Sequence, residues 1–252
     1  MKIRTSWLLA VLVVVVAVGC SRQDYQWGWY EVLPTTPQGA AHLRFLLAGL
    51  GLTISLSTIS LSASIILGLL VALPGLARQP WLRAINRVYV ETFRSIPVLV
   101  MILWVYYGFP VVIGLALGPF TAGILALTLC DSAFEAEVFR GGIQSVEKGQ
   151  IEAADSLGLN YYQKMRLIIL PQAIRRILPP LGNQFVYMLK MSSLVSVIGL
   201  QELTRRANEL TVTVYRPLEI YSVLVLEYLL LILVASWMVR RVEMRMRVPT
   251  EV

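Results

Sequence analysis

The run FLLAGLGLTISLSTISLSASIILGLLVAL, from Phe45 to Leu73, contains no charged residue. It exceeds the roughly 20 residues a helix needs to cross the hydrocarbon of a bilayer. Four more apolar blocks follow, at Val88 to Ile113, Pro119 to Phe139, Ile177 to Leu200 and Ile220 to Val239. Helices satisfy their own backbone hydrogen bonds in lipid, so the expected fold is an all-α membrane protein with a bundle of five core transmembrane helices. A β-barrel would show alternating segments of about 10 residues instead. Composition agrees, at 57% hydrophobic and 15% charged, where soluble domains carry about 25% charged residues.

The formal net charge of +7 raises nucleic acid as a partner, but its distribution points elsewhere. No basic cluster interleaved with aromatics occurs, so no nucleic-acid partner is expected. Arg78, Arg83 and Arg87 follow the first long block, none lie between Phe109 and Gly118, and Lys148, Lys164, Arg166, Arg175 and Arg176 follow the third. Basic residues favour cytoplasmic loops. The last block is followed by Arg240, Arg241, Arg245 and Arg247, which places the carboxyl terminus in the cytoplasm. Arg205, Arg206 and Arg216 run against this scheme, on the side it places outside, with Glu202, Glu209 and Glu219 beside them.

The first twenty residues form a separate hydrophobic segment. Lys2 and Arg4 precede Trp7 to Gly19, a stretch shorter than an ordinary span and similar to a signal h-region. Retained, it makes a sixth helix; cleaved, it leaves five. Ala17-Val18-Gly19-Cys20 is loosely like a lipoprotein cleavage box, so lipidation at Cys20 is a further alternative. The other cysteine, Cys130, lies within a block and reads as a packing residue; the two form neither a metal site nor a disulfide framework. Residues 21–44 are expected to be extracytoplasmic, 45–240 to form the membrane domain, and 241–252 a cytoplasmic tail.

Residues 144–176 are the polar centre of the chain. Glu152-Ala153-Ala154-Asp155-Ser156-Leu157 is rich in helix formers and stops at Gly158, a residue that ends helices without steric penalty. Tyr161 to Leu170 then forms a second helical stretch running into Pro171. Short side chains on such an element let another protein approach closely; a solvated loop is the alternative.

These residues resemble the signature loop of ABC importer permeases: Glu152-Ala153-Ala154, Gly158, then Ile169-Leu170-Pro171. Arg140-Gly141-Gly142, Lys148-Gly149-Gln150, Leu157-Gly158-Leu159, Leu170-Pro171-Gln172-Ala173 and Leu178-Pro179-Pro180-Leu181-Gly182-Asn183 are similar to the polar amino-acid subgroup. So are Glu91-Thr92-Phe93-Arg94-Ser95-Ile96-Pro97 and Leu194-Val195-Ser196-Val197-Ile198-Gly199. The likeness extends from about Phe45 to the end.

The resemblance implies a type I ABC importer transmembrane domain in a bacterial inner membrane, embedded in lipid. Its partners would be an ABC ATPase dimer, a second permease copy or a sister permease, an extracytoplasmic solute-binding protein, and an amino-acid substrate. Glu152, Ala153, Ala154, Leu157 and Gly158 would couple to the ATPase. No Gly-x-x-x-x-Gly-Lys-Ser/Thr loop occurs, so the chain is expected to bind no cofactor, with ATP and Mg on the partner, and to be no enzyme.

Polar residues inside the spans have two readings. Gly49, Thr53, Ser57, Ser60, Ser64 and Gly68 recur at helical spacing on one face. Close helix packing is the usual role of such residues; lining a solute path, notably by Ser57 and Ser60, is the other. Pro97, Pro179, Pro180 and Gly182 are expected to break helices at span ends. Glu137 and Arg140, three apart, form an expected structural ion pair.

Asp131 and Glu135 share another face of the same block, where relatives usually have uncharged residues. Intramembrane charge is costly and marks function. Two carboxylates on a cavity would attract a cationic solute; alternatively one or both are protonated or pair with Lys190, whose usual acidic neighbour is replaced by Met191. Asp131, Glu135, Ser57, Ser60 and Lys190 are thus the substrate-path candidates, with no catalytic or metal residues. His42 stands before the first span with no acid adjacent in sequence and reads as solvated, which leaves an intramembrane enzyme without a base. A channel or secondary transporter would need no docking loop, and no inverted repeat is visible.

Overall fold

Thr36 starts the first long helix by accepting a hydrogen bond at Oγ1 from the Gly39 amide at 3.0 Å, with Pro37 in the first turn, where its missing N–H costs nothing. This computed structural model describes residues 25–246, with side chains to 244, so the segment 1–20 and its cleavage or lipidation at Cys20 lie outside the described residues. Helix α1 (Pro37–Leu47) passes into α2 (Leu50–Leu76) through a short irregularity at Ala48 and Gly49. The chain then forms α3 (Pro80–Ser95), α4 (Val98–Leu103), a wide π turn at Trp104–Gly108, and α5 (Phe109–Ile113). Next come α6 (Pro119–Gln144), α7 (Lys148–Ser156) and α8 (Tyr161–Lys164). A second π turn (Met165–Ile169) leads into α9 (Leu170–Met191), followed by α10 (Leu203–Val214) and α11 (Pro217–Met246). No strand occurs among the described residues.

The proline expectations divide. The block Val88 to Ile113 is not one straight helix: α3 and the segment Val98–Ile113 meet at 97°. Pro97 lacks an amide proton and pushes Ile96 into an extended conformation, φ −88° and ψ 125°, which ends α3. Pro179 and Pro180, in contrast, lie inside the continuous helix α9 and break nothing. Pro171 does not stop its helix either. The π turn just before it widens the backbone where the proline ring would clash, as does the π turn before Pro110. Gly182 is a close-packing site, since a Cβ there would come 2.6 Å from Val239 Cγ1. The last helix continues past residue 240 into the expected tail.

By length and apolarity alone, Pro37–Leu76 and Pro217–Met244 can cross a membrane, and the bent pair is a third, broken candidate. The remaining two blocks, α6 and α9, carry buried polar groups of their own, among them Asp131, Glu135 and Gln184, and pack at the centre. Their neighbours fix the directions of the bundle. Gly123 faces Leu56 and Gly68 faces Glu135, so α2 and α6 run parallel. Gly123 also faces Val195, beyond the end of α9, while Gly142 faces Ile177, so α6 and α9 are antiparallel. Gly182 against Val239, with Tyr228 reaching Glu202, makes α9 and α11 antiparallel too. The ends of α2, α6 and α11 therefore meet at one end of the bundle, together with α7.

Three apolar clusters hold this arrangement, through close van der Waals packing of the helices. Leu56, Ile102, Val105, Leu127, Met188 and Val195 fill the centre. Ala72, Val90, Ala136, Phe139, Ala173 and Ile177 fill the end near α7. Val32, Leu46, Ala207, Leu210 and Ile220 join the amino-terminal segment to α10 and α11 at the opposite end.

Candidate functional site

Helix α7 ends in a Schellman turn. Gly158 takes φ +71°, its amide donates to Asp155 O at 2.9 Å, and the Leu159 amide donates to Ala154 O at 3.1 Å. Asn160 and Gln163 then form a reciprocal capping box that starts α8, each bond 2.9 Å. Lys164 bonds Asp155 across the turn, tying α7 to α8, and Arg176 donates to the Ser145 carbonyl, tying α9 to the end of α6 just before α7. Ala154 is buried against these neighbours, whereas Glu152, Ala153 and Gly158 are exposed and Leu157 is 78% exposed. The expected helix, turn, helix is thus present, with an exposed leucine and small residues on a braced support.

Inside the bundle, a cavity of about 330 Å³ lies between the α3–α4 bend, α6 and α9. Phe93, Phe134, Tyr187 and Met188 supply its apolar wall, and Asp131 and Gln184 its polar one. Ser64 Oγ donates to Asp131 Oδ2 at 2.5 Å, and Gln184 Nε2 donates to Oδ1. Both partners are neutral donors that orient the carboxylate without neutralising it. Arg94 reaches the cavity rim and binds Glu137.

The other expected site residues fall elsewhere. Glu135 is fully buried against Gly68, off the cavity wall, and neither of its oxygens has a hydrogen-bond partner among the described residues. Ser57 and Ser60 are fully buried, Ser57 toward α9 and Ser60 toward α6; Ser57 Oγ donates to Thr53 O at 2.8 Å and lies 3.4 Å from Met188 O, and Ser60 Oγ has no partner among the described residues. Lys190 does not meet Asp131 or Glu135. It is exposed on the other side of α9, beside Asn183, Ser236 and Arg240, with no ion-pair partner among the described residues. Glu137 and Arg140 approach to 3.6 Å, with Arg94 as a third member of the pair. Sequence reasoning missed Arg94, Gln184 and Tyr187 as cavity residues. The signal was available for two of them: Gln184, Met188 and Met191 share one helical face with Tyr187, a polar residue set in an apolar stripe.

At the opposite end, the misplaced cations find local partners. Arg205 pairs with Glu209 at 2.8 Å, Arg206 lies over the Phe45 ring, and Arg216 donates to Gln26 O at 2.5 Å. The hydrogen bond from Gln201, with Arg205 alongside, holds Glu209 below its usual range. Glu219 accepts from the Gly28 amide at 2.6 Å and from the Tyr25 hydroxyl at 2.5 Å, and that bond raises the Tyr25 phenol. His42 is not simply solvated. Its Nδ1 lies 2.8 Å from the Glu31 carbonyl and 3.3 Å from the Glu31 carboxylate, brought close because the segment before α1 folds back over it.

Residues 64–248 match the family described as binding-protein-dependent transport system inner membrane component. The chain is 36% identical over 227 residues to the glutamine transport system permease protein of Escherichia coli (strain K12), covering 88% of this chain and 99% of that one. It is 41% identical over 194 residues to a probable glutamine ABC transporter permease protein of Bacillus subtilis (strain 168), covering 77% and 89%. A crystal structure of an amino acid ABC transporter with histidines superposes with a TM-score of 0.77 at 37% identity, covering 82% of this chain and 96% of that one. The chain belongs to the inner membrane component family of binding-protein-dependent transport systems.

Proposed function

We propose that this chain is the permease subunit of an ATP-driven importer for polar amino acids, cationic ones foremost. The observation that carries this reading is the pairing of an exposed α7 with a cavity whose one buried acidic side chain is Asp131. A separate ATPase dimer, holding ATP and Mg, would seat α7. A second permease, identical or sister, would complete the pathway, and an extracytoplasmic binding protein would deliver solute to the end formed by α10. Arg78, Arg83, Arg87, Lys148, Arg240 and Arg241 belong to the end of the bundle that carries α7. This supports a cytoplasmic position for that end and for the carboxyl terminus.

A carboxylate in a cavity shielded from water interacts with an ammonium or guanidinium by several kcal/mol, roughly 4 kcal/mol at 4 Å for an effective dielectric constant near 20. Asp131→Asn keeps the shape and one acceptor oxygen for Gln184, reverses the Ser64 contact so that the amide donates to Ser64 Oγ, and removes the carboxyl group. It is expected to reduce arginine uptake at least about tenfold, or ~1.4 kcal/mol, while glutamine uptake changes less than about twofold. Equal loss for both would make Asp131 structural.

The direct test of the reading is uptake of labelled arginine, glutamine and glutamate into vesicles holding the assembled complex, with ATP supplied on the α7 side. ATP-dependent accumulation against a gradient, largest for arginine, is the expected result. Uptake indifferent to ATP would overturn it in favour of a channel or secondary transporter.

A further inference from the structure

Lys190 stands at the junction of two adjoining cavities between α9 and α11. One, of about 190 Å³, is polar and is lined by Asn183, Lys190, Ser236 and Arg240 with the Tyr187 side chain. The other, of about 500 Å³, continues from Lys190 along Val225, Leu229 and Ile232. Val225, Leu229, Ile232, Ser236 and Arg240 follow one another at three- and four-residue spacing, so they form a single stripe along α11. Asn183, Tyr187 and Lys190 form the matching stripe on α9. The two cavities are therefore one groove, cationic at one end and apolar at the other.

The cationic end follows from helix direction. Long side chains lean toward the start of their own helix. Because α9 and α11 are antiparallel, Lys190 leans toward Asn183 and Arg240 leans toward Lys190, and both reach the same cavity. Both are exposed, no carboxylate lines either cavity, and among the described residues neither cation has an ion-pair partner, Glu243 one turn beyond Arg240 included. Along the apolar end the hydroxyls are already engaged: Ser193 Oγ donates to Lys190 O at 2.7 Å, and Thr204 Oγ1 lies 3.1 Å from the Tyr228 hydroxyl, which donates to Glu202. What stays open there is hydrocarbon, with Val225 64% and Leu229 50% exposed.

The groove also has the right depth. Arg240 lies at the α7 end of the bundle, where exposed Trp237 stacks under the Arg241 guanidinium at 5.1 Å, the pairing of an aromatic ring and a cation that marks a membrane interface. Leu229 stands about 16 Å from Arg240 along α11 at 1.5 Å per residue, close to half of the roughly 30 Å of bilayer hydrocarbon. A chain anchored at Arg240 thus runs the depth of one leaflet inside the groove. Basic pockets between spanning helices suit anionic lipid headgroups. A second copy of this face, meeting it across a two-fold axis, would instead set cation against cation.

We propose that the α9–α11 groove binds an anionic phospholipid of the leaflet at the α7 end, its phosphate between Lys190 and Arg240 and one acyl chain along Ile232, Leu229 and Val225. The paired cations select the headgroup, and the apolar stripe that continues from them selects a lipid over a soluble anion.

The test is native mass spectrometry and thermal unfolding of the full chain, purified with its copurifying subunits, after addition of phosphatidylglycerol, phosphatidylcholine or inorganic phosphate. Phosphatidylglycerol is expected to be retained and to raise the unfolding temperature, with phosphatidylcholine and phosphate inert. A Lys190→Gln, Arg240→Gln variant loses both charge-assisted contacts and is expected to weaken phosphatidylglycerol retention at least about tenfold, whereas Lys190→Arg, Arg240→Lys keeps most of it. Leu229→Trp fills the groove without touching the charges and is expected to lower retention as well. Undiminished retention in the glutamine or the tryptophan variant, equal retention of phosphatidylcholine, or equal protection by phosphate alone would overturn the proposal. So would a disulfide between two copies of a Leu229→Cys variant that forms regardless of added phosphatidylglycerol, since a second permease would then fill the groove. If the glutamine variant does not fold, the three-ligand comparison on the native chain still decides.

Discussion

A Glu152→Lys, Gly158→Val variant is expected to lose ATPase association in a pull-down from detergent, and with it all ATP-driven uptake. Two independent physical changes combine. Valine at φ +71° is strained, because a β-branched side chain in the left-handed region clashes with its own backbone; the cost is about 1–2 kcal/mol. Relieving it means opening the turn that orders Leu157 and the start of α8. Lysine at 152 reverses a charge on the exposed side of α7. Neither site contacts the apolar core, so monodisperse elution and normal helical content are expected to persist. Retained ATPase binding would show that α7 is not the docking element.

Gly68→Leu is expected to prevent accumulation of folded protein, read as loss of the monodisperse peak in detergent and of cooperative thermal unfolding. A Cβ at Gly68 would lie 2.6 Å from Glu135 Cβ and 2.9 Å from Ser132 O. Overpacking a close seam costs about 1–3 kcal/mol, and here one contact is with backbone that cannot rotate away. The larger loss comes from separating α2 from α6, which would break the bond from Ser64 to Asp131 and expose Glu135. Gly51→Ala serves as the control, since nothing lies within 4 Å of its Cβ position, and it is expected to leave the melting temperature unchanged or slightly raised, because alanine is the better helix former.

Much of this fold is legible because lipid imposes a strict rule. The uncharged run from Phe45 to Leu73 could only be a span, and the hydroxyl and glycine spacing within it marked one contact face, covered by α6 from Ser60 to Gly68 and by the start of α10 at Gly49 and Thr53. Gly158 read correctly as a helix end because its conformation depends on local sterics alone. Proline was less legible. Pro97 breaks its helix and Pro179 and Pro180 do not, although each lacks the same amide proton, so residue type alone does not decide the outcome. The fate of each intramembrane charge was illegible for the same reason. Asp131 and Glu135 are equivalent in sequence spacing, yet α2 presents a serine hydroxyl to one and a bare glycine to the other. Which way Lys190 faces depends on how α11 lies along α9, and no local pattern encodes that.

The parallel pairing of α2 and α6 has a mechanical consequence. Glycine at 68 and a glycine at 123 lock two long helices at points far apart along their length, so neither can slide or twist past the other without steric collision. Such a pair behaves as a single stiff lever. A push delivered at α7, directly after the end of α6, would then be transmitted along the whole lever instead of dissipating in the seam. The compliance has to reside elsewhere, and the extended Ile96–Pro97 joint beside the cavity, where the hydrogen-bond ladder of α3 stops and that of α4 begins, is placed to act as the pivot.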